Sequence, residues 1–179
     1  TKNILNGLKS YFEKNGIKTA VLGISGGIDS TVTAALCKIC GIHLVGISMP
    51  CSTNKGDEVS VAKNVGSEFC DEFKEISIQN AFEAVSKLTD MASDMKETPI
   101  SQGNIKARVR MITLYDIASK RRGIVLDTDN LTEHYLGFWT LKGDEGDFNP
   151  IGGLWKHEVY GLARYVKETY FGNCSEALN

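Results

Sequence analysis

Residues 23–31 read Gly-Ile-Ser-Gly-Gly-Ile-Asp-Ser-Thr, and no other stretch of this chain gathers so many groups suited to an anion. Gly23, Gly26 and Gly27 allow close backbone approach and positive φ. Ser25, Ser30 and Thr31 bring hydroxyl donors. The run leads into residues with helical spacing, and a helix N-terminus offers unpaired N–H groups and the positive end of its dipole. A phosphate or pyrophosphate is the ligand that uses all of this. Asp29 would repel such a ligand unless a cation bridged them, and Mg²⁺ suits carboxylate and phosphate oxygens alike. A simple capped turn accounts for one serine or aspartate, but not for Gly-Gly beside three hydroxyls and an acid. Two familiar phosphate loops are excluded: GxxxxGK[ST] needs a lysine that is missing, and glycines at 23, 26 and 27 do not fit GxGxxG.

Other chemistry-bearing residues are spread downstream. Thr128 ends an apolar run, and Glu133 follows five residues later. Lys156 opens the last helical segment, where an ammonium is unfavourable to the dipole unless an anion lies nearby. On a helix through 104–118, Ile105, Val109 and Ile112 form one stripe and Arg108 flanks it, so its guanidinium must find an anion or reach solvent. Lys106 and Arg110 read as surface charges. The loop KGDEGDFNPIGG (142–153) carries three acids, four glycines and a proline. Cys37 and Cys40 sit among Val32, Leu36 and Ile39 and read as small core thiols; no second Cys/His pair completes a zinc set. His43, His134 and His157 form no dyad.

The elements that must position these groups alternate. Helices are expected over 4–14, 29–40, 58–70 (with Val61, Val65 and Phe69 on one face), 79–89, 104–121, 131–138 and 155–169. Strands are expected over 19–24, 43–48, 73–78 and 123–128, with a loop over 49–57 and a mobile polar stretch over 90–103. Strands joined by such helices form right-handed βαβ crossovers and a parallel sheet. The expected fold is therefore α/β, a Rossmann-like parallel sheet with helices on both faces. Ligands of such sheets bind beyond the strands' carboxyl ends, where the polar clusters 25–31, 49–57 and 127–133 fall.

The chain has 179 residues, 42% of them hydrophobic and 23% charged, with net charge −2. That fits one globular domain over 1–179 and gives no general attraction to nucleic acid or an anionic membrane. No apolar run is long enough for a membrane span. The amphipathic N-terminus is unlike a signal peptide, and five cysteines suggest free thiols in the cytoplasm.

The opening stretch resembles the SGGxDS pyrophosphate loop of the N-type ATP pyrophosphatases, whose fold is adenine nucleotide alpha hydrolase-like. These enzymes cleave ATP between the α and β phosphates and adenylate an acceptor oxygen. GNIKARVRMITLYDIA (103–118) and TDNLTEHYLGFWTLKGDEGDFNPIGGLWK (128–156) further resemble the ammonia-dependent NAD synthase family. That resemblance implies a ligase that amidates deamido-NAD with ATP and ammonia, releasing AMP and pyrophosphate. It assigns Gly23, Ile24, Ser25, Gly26, Gly27, Ile28, Asp29, Ser30, Thr128 and Lys156 to ATP, and Asp29 and Glu133 to Mg²⁺. Asp29 and Lys156 are the catalytic pair by the same comparison. Arg108, Lys142 and Asp147 fall to the dinucleotide. It also implies a homodimer, terminal helices beyond Asn179, and free ammonia as donor in a chain without a glutaminase segment. Residues 44–53 are expected to flank the adenine.

The family's usual T-K-Y-G-D-G-G-A-D appears here as TLKGDEGD, displacing the lysine and shortening the loop, and Asp127 replaces the glycine usual in L-G-T-D. These departures leave two alternatives. One is another ATP pyrophosphatase, such as a tRNA-modifying enzyme, against which the weak basic balance speaks. The other is a non-catalytic nucleotide-binding homologue.

Overall fold

Val21 and Leu22, fully buried, lie at the centre of the strand β1 (Thr19–Gly23), because after Thr19 this short run has no polar side chain to direct toward water. A computed structural model describes residues 1–52, 56–92, 94–172 and 174–178, the side chains of 56–58 aside. It places β1 between β2 (His43–Ser48) and β4 (Ile124–Val125), with β3 (Glu72–Glu75) outside β2. Every pairing is parallel, with Val21 opposite both Val45 and Val125. The expected α/β fold is thus the one found.

The helices are α1 (Lys2–Asn15), α2 (Ile28–Cys40), α3 (Gly56–Phe69), α4 (Gln79–Ala92), α5 (Pro99–Arg121), α6 (Leu131–Leu136) and α7 (Lys156–Tyr170). They make two cores. One, around Leu22, Leu36, Phe69 and Val159, packs α1, α2, α3 and α7; the other, around Val21, Ile47, Val109 and Val125, packs α5, with Phe82 and Val85 of α4 against it.

Four sequence expectations are corrected. The stretch 90–103 is not one polar loop: α4 runs to Ala92, and α5 begins at Pro99, behind a Thr98 cap whose hydroxyl accepts from Ser101 N at 3.1 Å. Proline at the first helical position and threonine before it fix that start. Second, β4 is two residues long, not six. Beyond it Asp127 N donates to Phe148 O and Asp147 N to Val125 O, so a returning loop takes the sheet edge. Third, β3 ends at Glu75, although the chain follows β2 onward, with Ile76 N donating to Ser48 O. Fourth, Val61 is 40% exposed; Ala62, Val65 and Phe69 form the buried stripe of α3, since steps of four drift around a 3.6-residue helix. Of the expected 49–57 loop, residues 53–55 lie outside the described residues.

Two glycines are placed by contact. A Cβ on Gly146 would come within 2.5 Å of Asp127 N, and one on Gly66 within 2.2 Å of the Phe73 ring. The first holds the returning loop against the end of β4, beside the site.

Phe69→Ala is expected to lower the unfolding free energy by about 3–5 kcal/mol, while Val61→Ala costs under about 1 kcal/mol. Urea titration monitored by circular dichroism measures both.

Candidate functional site

Beyond the carboxyl ends of β1, β2 and β4 lies a cleft of about 580 Å³, lined by residues 22–27, 47–50 and 125–129 with Arg110, Met111 and Leu114 of α5.

The glycine turn forms its floor. Gly26 takes φ +84, a left-handed value that a side chain would oppose. Gly27 then caps α2 with an extended backbone (φ −77, ψ 158). The hydroxyls do not act as the sequence suggested. Ser30 Oγ and Thr31 Oγ1, both buried, donate to Gly27 O at 3.0 and 2.9 Å, and Ser25 Oγ accepts from Gly27 N at 3.1 Å. They shape the turn from within. The free donors are the N–H groups of Ile28, Asp29 and Ser30, for which no protein acceptor is found among the described residues. Such amides at the start of a 13-residue helix form an anion cradle.

Next to two of the lining residues, Gly27 and Asp129, the side chains of Asp29, Glu133 and Lys156 meet. Lys156 Nζ donates to Asp29 Oδ2 at 2.5 Å and to Glu133 Oε1 at 3.4 Å. Asn130, fully buried, donates its Nδ2 to Asp29 Oδ1 at 3.0 Å and its backbone N to Glu133 Oε2 at 3.1 Å. Its Oδ1 accepts from Glu133 N, closing a capping box over α6. Burial works against the Lys156 ammonium, but the bonds and charges of Asp29 and Glu133 outweigh it and raise its pKa. Three residues distant in sequence are thereby brought to one point.

Acids also crowd the turn after β4. Asp127 donates no charge to a partner of opposite sign; its oxygens accept from Asp129 N (2.7 Å) and Gly146 N (3.3 Å), tying the turn after β4 to the returning loop. Burial, partly offset by those bonds, raises its pKa. The Asp129 carboxylate accepts no hydrogen bond among the described residues. Burial first, then Asp127, Asp144, Glu133 and Asp29, push its pKa up to about 7. A polyanion can approach this turn only with a cation.

Arg110 was misjudged from sequence. On α5 the positions Ala107, Arg110, Leu114 and Ile117 share the face turned to the sheet, while Arg108 and Ile112 lie opposite. Ile112 is 64% exposed and does not continue a buried stripe. Arg110 is half-buried, lines the cleft and donates from Nε to Met49 O at 3.1 Å; burial lowers its pKa. An arginine in the middle of the inward face breaks the apolar pattern that would have revealed that face.

The expected dinucleotide residues stand apart from the cleft. Arg108 is exposed and donates from Nε to Leu141 O at 3.2 Å. Lys142, at φ +59, turns to Glu145 at 3.3 Å. Asp147 accepts from Val125 N at 2.8 Å and from Tyr115 Oη at 3.3 Å, filling in for a peptide at the sheet edge. Thr128 does line the cleft. Asn130 and Asp129 were missed; an asparagine three residues before a glutamate is the capping-box signature that could have found the former. The three histidines stand apart from the cleft, and His43 bonds Glu72 at 3.2 Å.

Residues 1–169 match the NAD synthase family pattern. The NH(3)-dependent NAD(+) synthetase of Fusobacterium nucleatum is 37% identical over 163 residues, which is 89% of this chain and 61% of that protein. Its Campylobacter jejuni counterpart is 33% identical over 168 residues, 93% of this chain and 66% of the relative. The chain therefore spans somewhat under two thirds of these relatives' length. Among solved structures, the NH3-dependent NAD synthetase from Campylobacter jejuni superposes with a TM-score of 0.85 at 33% identity, covering 93% of this chain and 71% of that one. An NMN synthetase from Francisella tularensis gives 0.86 at 32% identity, covering 93% and 68%.

The Asp129 shift has a definite sign. Its pKa is raised on folding, so the folded state holds a proton that the unfolded chain has lost between about pH 4 and 7, and stability from this group falls as pH rises through that window. With its partial exposure discounted, Asp129→Asn is expected to raise Tm by roughly 2–4 °C at pH 8 in metal-free buffer. The gain should shrink toward zero near pH 4. Thermal unfolding followed across pH measures it, and a gain independent of pH would overturn the assignment.

Proposed function

The chain belongs to the NAD synthase family, and on that premise we propose that it amidates deamido-NAD with ATP and ammonia. One observation carries the reading. The glycine turn after β1 lines a nucleotide-sized cleft, and the helix that it opens carries Asp29, which shares the Lys156 ammonium with Glu133.

The carboxylate of deamido-NAD attacks the α-phosphorus of ATP, forming an acyl adenylate and expelling pyrophosphate. Ammonia then adds to the acyl carbon, loses a proton to solvent, and AMP departs. No side-chain nucleophile takes part. The chain's work is positioning and charge neutralisation. The amides of Ile28, Asp29 and Ser30 receive the departing diphosphate, with Gly23, Ile24, Ser25, Gly26 and Gly27 shaping the turn. Lys156 adds a positive charge on the same side, and Thr128 contacts the nucleotide from the end of β4. Arg110 holds the carbonyl of Met49, where residues 47–50 flank the adenine.

Asp29 and Glu133 fit Mg²⁺: each turns one oxygen to a single cationic atom. No group of three or more His, Cys, Asp or Glu is arranged for a metal among the described residues. Two carboxylates would hold Mg²⁺ only together with oxygens from other sources, such as phosphate and water. When bound, the ion neutralises phosphate charge beside the acidic turn.

Arg108, Lys142 and Asp147 belong to the acceptor side. They lie on or against the loop whose Gly143, Asp144 and Glu145 line the cleft, so the dinucleotide approaches the ATP site from that loop. The exposed Tyr135, Leu136, Phe138 and Leu141 favour a second copy covering this region in a homodimer. None of the five cysteines forms a disulfide, which suits the cytoplasm, and no described helix is long and apolar enough to cross a membrane. The likeness to an NMN synthetase, together with a Lys142 turned onto Glu145, supports a second acceptor, the deamido form of NMN.

Purified protein with Mg-ATP and ammonium should release AMP and pyrophosphate only when deamido-NAD or deamido-NMN is added, and the amide formed names the acceptor. Asp29→Asn should lower kcat at least about 100-fold while the fold, followed by circular dichroism, is kept. AMP release without either acceptor, or a fully active Asp29→Asn, would sink the reading.

A further inference from the structure

Asn130 holds one oxygen of each acid, Asp29 Oδ1 through its side chain and Glu133 Oε2 through its backbone. The other two oxygens face the Lys156 ammonium, at 2.5 and 3.4 Å. The three side chains are only partly exposed, at 35% for Lys156, 15% for Asp29 and 26% for Glu133, so their charges are weakly screened. A divalent ion bridging the two acids would stand within a few ångströms of that ammonium and be repelled by it. The backbone of Lys156 is fixed, since its N donates to Thr132 Oγ1 at 2.9 Å. Its four-carbon stem is free to re-aim.

We propose that Lys156 is a built-in counter-cation that shuts the Asn130-clamped acid pair to free divalent metal, and that a nucleotide phosphate opens the pair by drawing the ammonium onto itself. The proposal rests on the reading of Asp29 and Glu133 as the metal pair. Metal and nucleotide then bind with positive coupling carried by one side chain, and linkage makes that coupling equal in both directions. The free chain keeps its acids neutralised without metal, and the ion arrives with its nucleotide.

Mn²⁺, followed by electron paramagnetic resonance on the full chain, is the probe, with and without an α,β-methylene ATP analogue. The wild type should bind Mn²⁺ weakly alone and more tightly with the analogue. Lys156→Met should tighten nucleotide-free Mn²⁺ binding by about tenfold or more and lose most of the enhancement by the analogue. Lys156→Arg, which keeps the charge, should retain weak nucleotide-free binding and covers the case in which the methionine variant misfolds. Equal or weaker Mn²⁺ binding by folded Lys156→Met, or tight binding by Lys156→Arg, would overturn the proposal. Asp29→Asn separates the two levels. If Mn²⁺ binding with the analogue survives that change, the metal pair itself is wrong. If it is lost while Lys156→Met behaves as wild type, only the counter-cation role fails.

Discussion

Two carboxylates and one ammonium, gathered from the start of α2, the first turn of α6 and the start of α7, set the terms for the rest of the molecule. Asp29 and Glu133 would repel each other at this separation without a positive charge between them. Lys156 supplies it, and Asn130 fixes the angle at which both acids present themselves. The sheet order brings this about: with β4 beside β1, the segment after β4 runs past the glycine turn that follows β1. Thus the topology and the electrostatics of the site are one constraint.

The cleft divides its labour by polarity. Backbone amides face it from the turn after β1, and acids face it from the turn after β4. A phosphate chain is welcome on one side and excluded from the other until a cation intervenes. The raised pKa values of Asp127 and Asp129 have the same origin, burial of acids beside other acids. Asp127 meets part of that cost by accepting two backbone N–H groups. Here a side chain performs a tethering task at the strand's end.

Much of the fold was legible because its signals are local. β1, β2 and α2 follow from apolar runs bounded by glycine, and Gly16 and Gly41 close their helices in the left-handed conformation. The errors share a cause. The inward face of α5 was misread because Arg110 interrupts it, and β4 was drawn too long because a loop 20 residues onward takes its edge. At the site, the turn could be located from composition, yet the roles of its hydroxyls could not: Ser30 and Thr31 bond a carbonyl three and four residues back. Asp129 carries no spacing signal at all, since its perturbation comes first from burial and then from neighbouring acids, three of which only folding brings near.

Asp147 accepts the Val125 N–H that a further strand would otherwise have paired. One carboxylate therefore seals the sheet edge, and Gly146 seats it against the backbone of Asp127. The segment between Gly137 and Glu145 is consequently relieved of any duty to the sheet. On the proposed function, exchanges between Gly137 and Lys142, which do not line the cleft, would touch the acceptor side and leave the Asp29–Glu133–Lys156 centre in place. Preference could then drift while the chemistry stayed put.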